Sequence, residues 1–538
     1  MRYWNILPLL WLSAVTGEFV TVDGPSGVTY IGVRNTTRKQ DVFYGIPFAQ
    51  PPTGALRFKP PQPWVPTNDQ KLVNATTNDR PICIQSTPIT HDATVSEDCL
   101  YLSLWKPSNI TEKLPVMVFI YGGGFLNGSA PAYPGDRILD AAFSLGKPVL
   151  YLAMNYRLGI YRFPPGKQSE DAGALNFGLK DQRLALEWVN KNIGLFCGVC
   201  VLHSRQYSKR GALNHPLIQV MIFGESAGAM SVGYQMMYKD GEIGGVFRTA
   251  LMQSGAPSTY AARPASYPPR QAAYDFIVNT TGCASNGFEC LRNSDAELLK
   301  QANYDVFKLP PNLVSLDPYP TAVGPTLSPS DPFLSRPPRQ TIQEGKFAKI
   351  PFVRGTNLDE GTLFTTNPST TQDVISFLTT QLPGLTFGIT NETVVEQLLN
   401  YYPTDPSAGS PYNTGNNTFG KAAQYKRAAS VVGDLVFEAA RRDFLQTATG
   451  LGIPSWSYQF AQMTPDSPAE LGVPHASEIL FVVQYLPEEP QSHVELGISI
   501  IDYWYVWACI TSNSIDTPTR PGIPTECPGP LIALWVIP

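Results

Sequence analysis

Residues 222–228 read Ile-Phe-Gly-Glu-Ser-Ala-Gly, and Gly224 and Gly228 stand two positions to either side of Ser226. The run follows the apolar residues Val220 and Met221 without a break. A buried strand that ends in Gly-x-Ser-x-Gly and passes into a helix is a nucleophile elbow, a sharp turn that holds a serine hydroxyl at the carboxyl edge of a sheet. Such a turn forces the serine into a sparsely populated backbone conformation, and neighbouring chain comes so close that the flanking positions need residues without Cβ. The helix that follows aims the positive end of its dipole at the reaction centre.

A five-residue pattern gains weight from its surroundings. Tyr121-Gly122-Gly123-Gly124-Phe125 follows a second apolar run, Val116-Met117-Val118-Phe119-Ile120. Alone, a triple glycine is a flexible turn. Upstream of an elbow it reads as a source of backbone N–H groups for the negative oxygen that develops in acyl transfer.

That chemistry also requires a base and an acid. The five histidines are His91, His203, His215, His475 and His493. His475 lies in Gly472-Val473-Pro474-His475-Ala476-Ser477-Glu478, C-terminal to the serine, as the chain order Ser, acid, His requires. Between serine and histidine comes Gly355-Thr356-Asn357-Leu358-Asp359-Glu360-Gly361, after the strand-like run Ile350-Pro351-Phe352-Val353. Asp359 and Glu360 both qualify as the acid, and chemistry alone does not separate them.

The apolar runs at 116–120, 149–153, 220–223 and 350–353 alternate with helical stretches. This alternation predicts an α/β fold with a mostly parallel sheet covered by helices. Ala185, Trp188, Val189 and Ile193 recur at helical spacing after Asp181. No long Ser/Gly linker, charge block or repeat divides the chain, so its 538 residues are expected to form a single large domain. The 50 prolines and 44 glycines imply ordered loops, because apolar content stays ordinary at 43%. A net charge of −5 gives no reason to expect nucleic acid or an anionic membrane as partner.

Several further runs carry a family likeness: Tyr44-Gly45-Ile46-Pro47-Phe48-Ala49, Ser96-Glu97-Asp98-Cys99-Leu100-Tyr101-Leu102, Asn155-Tyr156-Arg157-Leu158-Gly159 and Asp181-Gln182-Arg183-Leu184-Ala185-Leu186-Glu187-Trp188. With the elbow, they make the chain resemble the type B carboxylesterases and lipases of the α/β-hydrolase fold, from about residue 18 to about residue 505. The resemblance implies Ser226 as nucleophile, Glu360 as acid and His475 as base, with the N–H groups of Gly123, Gly124 and Ala227 as oxyanion donors. It implies disulfides Cys83–Cys99 and Cys283–Cys290. It also implies a small-molecule ester as substrate and no cofactor or metal. In related lipases the loop matching 83–99 carries a mobile lid, and in cholinesterases a choline-binding tryptophan. Here the loop is short and has no Trp, so an esterase of short- to medium-chain acyl groups is expected. A lipase or sterol esterase acting at lipid interfaces is the alternative, and a non-catalytic adhesion-type relative is a further one.

The amino terminus reads as a secretory signal over residues 1–17, with Arg2 ahead of the apolar stretch Ile6 to Val15. The mature chain is then expected to begin near Glu18 and to be secreted. Acceptor sequons at Asn35, Asn74, Asn109, Asn127, Asn279, Asn391 and Asn416 fit that route. The apolar ending Leu531 to Ile537 is too short to anchor in a membrane.

Three places depart from the family pattern. About residues 197–219, beginning Cys197-Gly198-Val199-Cys200 and containing His203 and His215, replace a short Gly-Gly-Asp-Pro turn. Spacing alone permits a zinc site there, and a surface loop is a second reading. Lacking any amphipathic period, the segment is read as a retained intron or other gene-model error. From about Trp507 the likeness fades, leaving Cys509 and Cys527 without a role. Finally, Tyr161-Arg162-Phe163 stands where a small, apolar turn is usual.

Overall fold

The computed structural model describes residues 18–68, 70–86, 94–197, 220–259, 262–285, 287–308, 324–381, 389, 391–464, 467–486 and 490–509. The expected signal segment, nearly all of the 197–219 segment and the end of the tail lie outside these residues, as do His91, Cys200, His203, His215 and Cys527.

One large sheet organises the chain. In chain order its strands are β1 Glu18–Asp23, β2 Thr29–Asn35, β3 Gln40–Pro47, β4 Leu72–Asn74, β5 Tyr101–Pro107, β6 Val116–Ile120, β7 Leu150–Met154, β8 Val220–Glu225, β9 Thr249–Gln253, β10 Phe352–Asn357 and β11 Ser455–Phe460. Their spatial order is β1-β2-β3-β5-β7-β6-β8-β9-β10-β11, with β4 beside β2. From β7 to β11 every pairing is parallel. The amino-terminal strands β1, β2, β3, β5 and β7 pair antiparallel in that sequence. This is the expected mostly parallel, helix-covered sheet, with an antiparallel wing.

The two halves differ in pattern for a physical reason. Every residue of β6, β7 and β8 is buried, because helices cover both faces of a parallel sheet and leave no polar side. β1 instead alternates in exposure, as a strand with one wet face does. Between β6 and β8, Phe119 meets Phe223 at 5.0 Å, and Phe223 meets Trp504 at 5.4 Å. Fully burying such a ring contributes about 1.5–3 kcal/mol.

The helix expected around Ala185–Ile193 spans Phe177–Asn192 (α1). Asp181 lies inside it and does not open it. Its carboxylate pairs with Arg157 at 2.6 and 2.8 Å, both side chains being buried. The helix after the elbow, Ala227–Met237 (α2), is buried at every position, and its polar side chains Ser231, Tyr234 and Gln235 are each hydrogen-bonded there. β8 sits between β6 and β9 with Gly224 beside both Ile120 and Met252, so the elbow lies at the carboxyl end of the central strand.

Candidate active site

The elbow is built by steric exclusion. Ser226 has φ 56° and ψ −123° between β8 and α2, a conformation that costs a non-glycine residue energy and persists only where the surroundings enforce it. Its N–H donates to the Gln253 carbonyl at 2.9 Å. A Cβ on either Gly224 or Gly228 would collide with the Ile120 carbonyl oxygen, so glycine is required at both positions. Ala227 heads α2, where the first N–H groups have no acceptor within the helix.

The triple glycine lies against this turn. A Cβ on Gly122 would come within 3.0 Å of Ser226 Cβ and 2.6 Å of the Glu225 carbonyl oxygen. Gly123 and Gly124 have φ of 90° and 63°, the left-handed region that glycine enters freely. The Gly123 carbonyl accepts from the N–H groups of Leu126 and Asn127, which closes the loop.

Asp359 and Glu360 are sequence neighbours with different tasks. Glu360 Oε2 lies 2.7 Å from His475 Nδ1, and its Oε1 accepts from the Asn357 N–H at 2.8 Å. Asp359 points away from the imidazole. Its carboxylate accepts from the Ser410 hydroxyl at 2.7 Å and from the Tyr412 and Val473 N–H groups at 2.9 Å each. Asp359 thereby ties down the loop that carries His475, while Glu360 contacts the ring itself.

His475 is buried between the rings of Phe364 and Phe437, at 5.0 and 4.9 Å. Phe437 lies in a π-helical turn, Asp434–Glu438, a kind of irregularity frequent at functional sites. His475 Nε2 lies 3.1 Å from Glu225 Oε1 but forms no hydrogen bond with it, so no hydrogen bond among the described residues ties up this nitrogen. Structure thus brings Ser226, the glycine loop, Glu360 and His475 to one end of the parallel sheet. His493 lies apart, bonded to Gln462 at 3.1 Å.

Two carboxyl groups at the site escaped the sequence reading. Burial raises Glu225 to about 8, more than the nearby imidazole lowers it. Glu478, raised to about 7 chiefly by burial and then by Glu360, accepts from Asn357 Nδ2 at 2.6 Å and Gln253 Nε2 at 3.3 Å. Burial lowers His475, but the charges of Glu225 and Glu360 outweigh it and the imidazole is raised overall, to about 9. Of these carboxyl groups Glu360 is the one hydrogen-bonded to the ring, through Nδ1. Glu478 stood three positions after His475, a helical spacing that could have flagged it. Glu225 occupies a variable position of the elbow pattern, which carries no such signal.

Both expected disulfides are present, Cys83–Cys99 and Cys283–Cys290. Cys197 is free. Among the described residues no group of His, Cys, Asp and Glu could hold a metal ion, and no helix is long and apolar enough to cross a membrane.

Comparison with known proteins adds to this geometry. The profile of the carboxylesterase family matches residues 27–200 and 216–512. The secreted triacylglycerol lipase LIP1 of Gibberella zeae is 35% identical, over 86% of this chain and 78% of its own length. Secreted lipase 1 of Botryotinia fuckeliana is 36% identical over 86% and 80%. Among solved structures, Aspergillus niger EstA superposes with a TM-score of 0.73 at 26% identity, covering 94% of this chain and 91% of that one.

Proposed function

We propose, from the premise that this chain belongs to the carboxylesterase family and is a carboxylic ester hydrolase, that Ser226, His475 and Glu360 carry its reaction through an acyl-enzyme. The observation that carries the reading is the Glu360–His475 contact of 2.7 Å, with Nε2 left unbonded, beside a serine held at a left-handed turn. Ser226 Oγ attacks the ester carbonyl carbon while His475 Nε2 takes its proton. The N–H groups of Gly123, Gly124 and Ala227 stabilise the resulting oxyanion, each donor contributing on the order of 100- to 1,000-fold in turnover. Collapse expels the alkoxide, which leaves as alcohol with the proton from His475. Water then attacks the acyl carbon, gives its proton to His475, and the released serine oxygen recovers it. Glu360 fixes the imidazole tautomer and stabilises imidazolium at each proton transfer.

The substrate is a small-molecule ester, and the reading favours short- to medium-chain acyl groups. Its support is the Cys83–Cys99 loop, sixteen positions from bond to bond, which can cover little apolar surface. The second reading, a lipase, is favoured by the names of relatives 35–36% identical. Secretion is supported by the same names, by two disulfides, which suit an oxidising compartment, and by the signal-like residues 1–17. The break in the family match between residues 200 and 216 supports reading about 197–219 as foreign to the gene product, and sequencing the transcript across those codons tests it.

A phosphonate ester probe should label the purified protein on Ser226 alone, and Ser226→Ala should lose ester hydrolysis at unchanged stability. Labelling at another residue, or turnover within tenfold of the parent, sinks the assignment. Comparing dissolved short esters with emulsified long-chain esters decides between esterase and lipase.

A further inference from the structure

Arg162 is a fully buried cation that forms no ion pair within 4 Å among the described residues; Tyr156, Tyr121 and, last in strength, the Asp181 carboxylate act on it and only partly offset the cost of its burial. It ends the short helix Gly159–Arg162, in the run that departs from the small, apolar turn expected by family likeness. Its guanidinium carbon lies 4.1 Å from the ring centroid of Phe125, and 4.6 Å from those of both Tyr156 and Phe163. Of its nitrogens, Nη2 donates to Ser231 Oγ at 3.1 Å, while Nε and Nη1 have no hydrogen-bond partner among the described residues. A buried, unpaired charge is costly, and a fold keeps one where its field or its contacts are used.

Its contacts reach both halves of the oxyanion hole. On the loop side, Phe125 directly follows Gly124, and its carbonyl accepts from the Gly159 N–H at 3.1 Å. Tyr156, which stacks on Tyr121 at 4.3 Å, donates its hydroxyl to the Tyr121 carbonyl at 2.5 Å, one residue before the triple glycine. On the helix side, Ser231 Oγ passes its own hydrogen to the Ala227 carbonyl at 2.8 Å, in the first turn after the nucleophile. Gly178 leaves room for the arginine stem, since a Cβ there would meet Arg162 Cδ at 2.8 Å.

We propose that Arg162 is a positioning residue for ester hydrolysis, holding the glycine loop and the first turn of α2 in register and adding positive potential beside the oxyanion. The inference rests on Ser226 chemistry as proposed above. Interactions that strengthen only as the oxyanion forms raise turnover and leave ground-state binding alone. In low-dielectric surroundings a charge held outside any close ion pair acts strongly at short range.

The test uses R162M, R162K and S231A in the full chain, each titrated with the phosphonate so that kcat refers to competent sites. R162M should lose at least tenfold in kcat with KM within twofold of the parent. Its affinity for a trifluoromethyl ketone, which adds the serine to mimic the oxyanion, should fall in the same proportion. R162K should recover part of the loss. S231A, which cuts the bridge to α2 and also takes the acceptor from Gln182 Nε2 at 3.1 Å, should lose about threefold or more in kcat per titrated site, and it decides the matter where R162M does not fold. Parental kcat in folded R162M or S231A, or a kcat loss without loss of ketone affinity, overturns the proposal. Hydrolysis surviving in S226A would defeat the underlying reading instead, whatever the Arg162 variants do.

Discussion

Glu360→Gln changes one oxygen into an amide nitrogen, and its consequence follows from the two hydrogen bonds the carboxylate makes. Oε1 accepts from the Asn357 N–H and Oε2 faces His475 Nδ1. Both positions need an acceptor, and glutamine supplies one. Turned to leave its NH2 facing Asn357, it sets two buried donors against each other at a cost of about 1–3 kcal/mol. Turned the other way, it donates to Nδ1, which moves the imidazole proton to Nε2, where the serine proton must be accepted. The second arrangement costs the folded state little and wins. The wrong tautomer, together with loss of the charge facing imidazolium, should lower kcat about 10⁴-fold, as the equivalent change does in a serine triad. That is about 5.5 kcal/mol of activation free energy. Asp359→Asn is the control. Its three accepted bonds come from donors that cannot become acceptors, apart from the Ser410 hydroxyl. It should therefore lose about 2–4 kcal/mol of stability, with kcat per folded site near parental. Urea unfolding and phosphonate-titrated kcat on both variants separate the two roles. E360Q within tenfold of parental kcat, or D359N more damaged in kcat than E360Q, refutes the reasoning.

Gly228→Ala should fail to reach the native state or lose more than about 3 kcal/mol, since its Cβ would overlap the backbone at Ile120 and Tyr121; near-parental unfolding by circular dichroism counts against the elbow sterics. Glu225→Gln tests the buried carboxyl by linkage. The unfolded chain releases this proton near 4.5 and the folded one keeps it to about 8, so the folded state binds more protons in between and parental stability falls as pH rises. Relative to the parent, E225Q should gain stability steadily between pH 5 and 8, and a constant difference across that range would exclude it. Replacing Cys83 and Cys99 by serine frees a loop of sixteen positions and should cost about 3 kcal/mol, read as a lower urea midpoint.

Much of the site was legible because its requirements are local. Gly224, Ser226 and Gly228 state a steric condition that can be read without neighbours, and β6, β7 and the first four residues of β8 are apolar runs because both their faces are covered, whereas β10 is apolar only at Phe352 and Val353. What escaped depended on partners far along the chain. In the antiparallel wing β1 is partly wet, while β3 and β5 are mostly buried yet carry polar residues such as Gln40, Asp41, Ser103 and Lys106 that break any continuous apolar run. Asp181 looks like a helix start until Arg157, twenty-four positions away, is placed against it. Asp359 and Glu360 differ only in what surrounds them, so residue chemistry left both open; Asp359 is committed by Ser410 and Tyr412, more than fifty positions on. Glu225 is an ordinary acidic residue in sequence and becomes unusual only when burial withholds water from it.

The two kinds of constraint meet at the end of β8. Sterics place Ser226: glycines at 122, 224 and 228 let three backbone segments approach more closely than any side chain allows. Electrostatics cannot be arranged so rigidly, because three carboxyl groups and one imidazole share a buried volume in which full ionisation is unfavourable. Burial raises both Glu225 and Glu478 toward the protonated form, and Glu360 is the group that meets Nδ1 of the ring. The hydrogen bonds enforce the same choice. Glu360 accepts from a backbone N–H as well as from the imidazole, whereas Glu225 Oε1 has no donor at all. That Glu360 rather than Glu225 meets the ring through Nδ1 is thus a consequence of where Asn357 ends β10, and the backbone of the sheet sets which carboxyl group stands behind the imidazole.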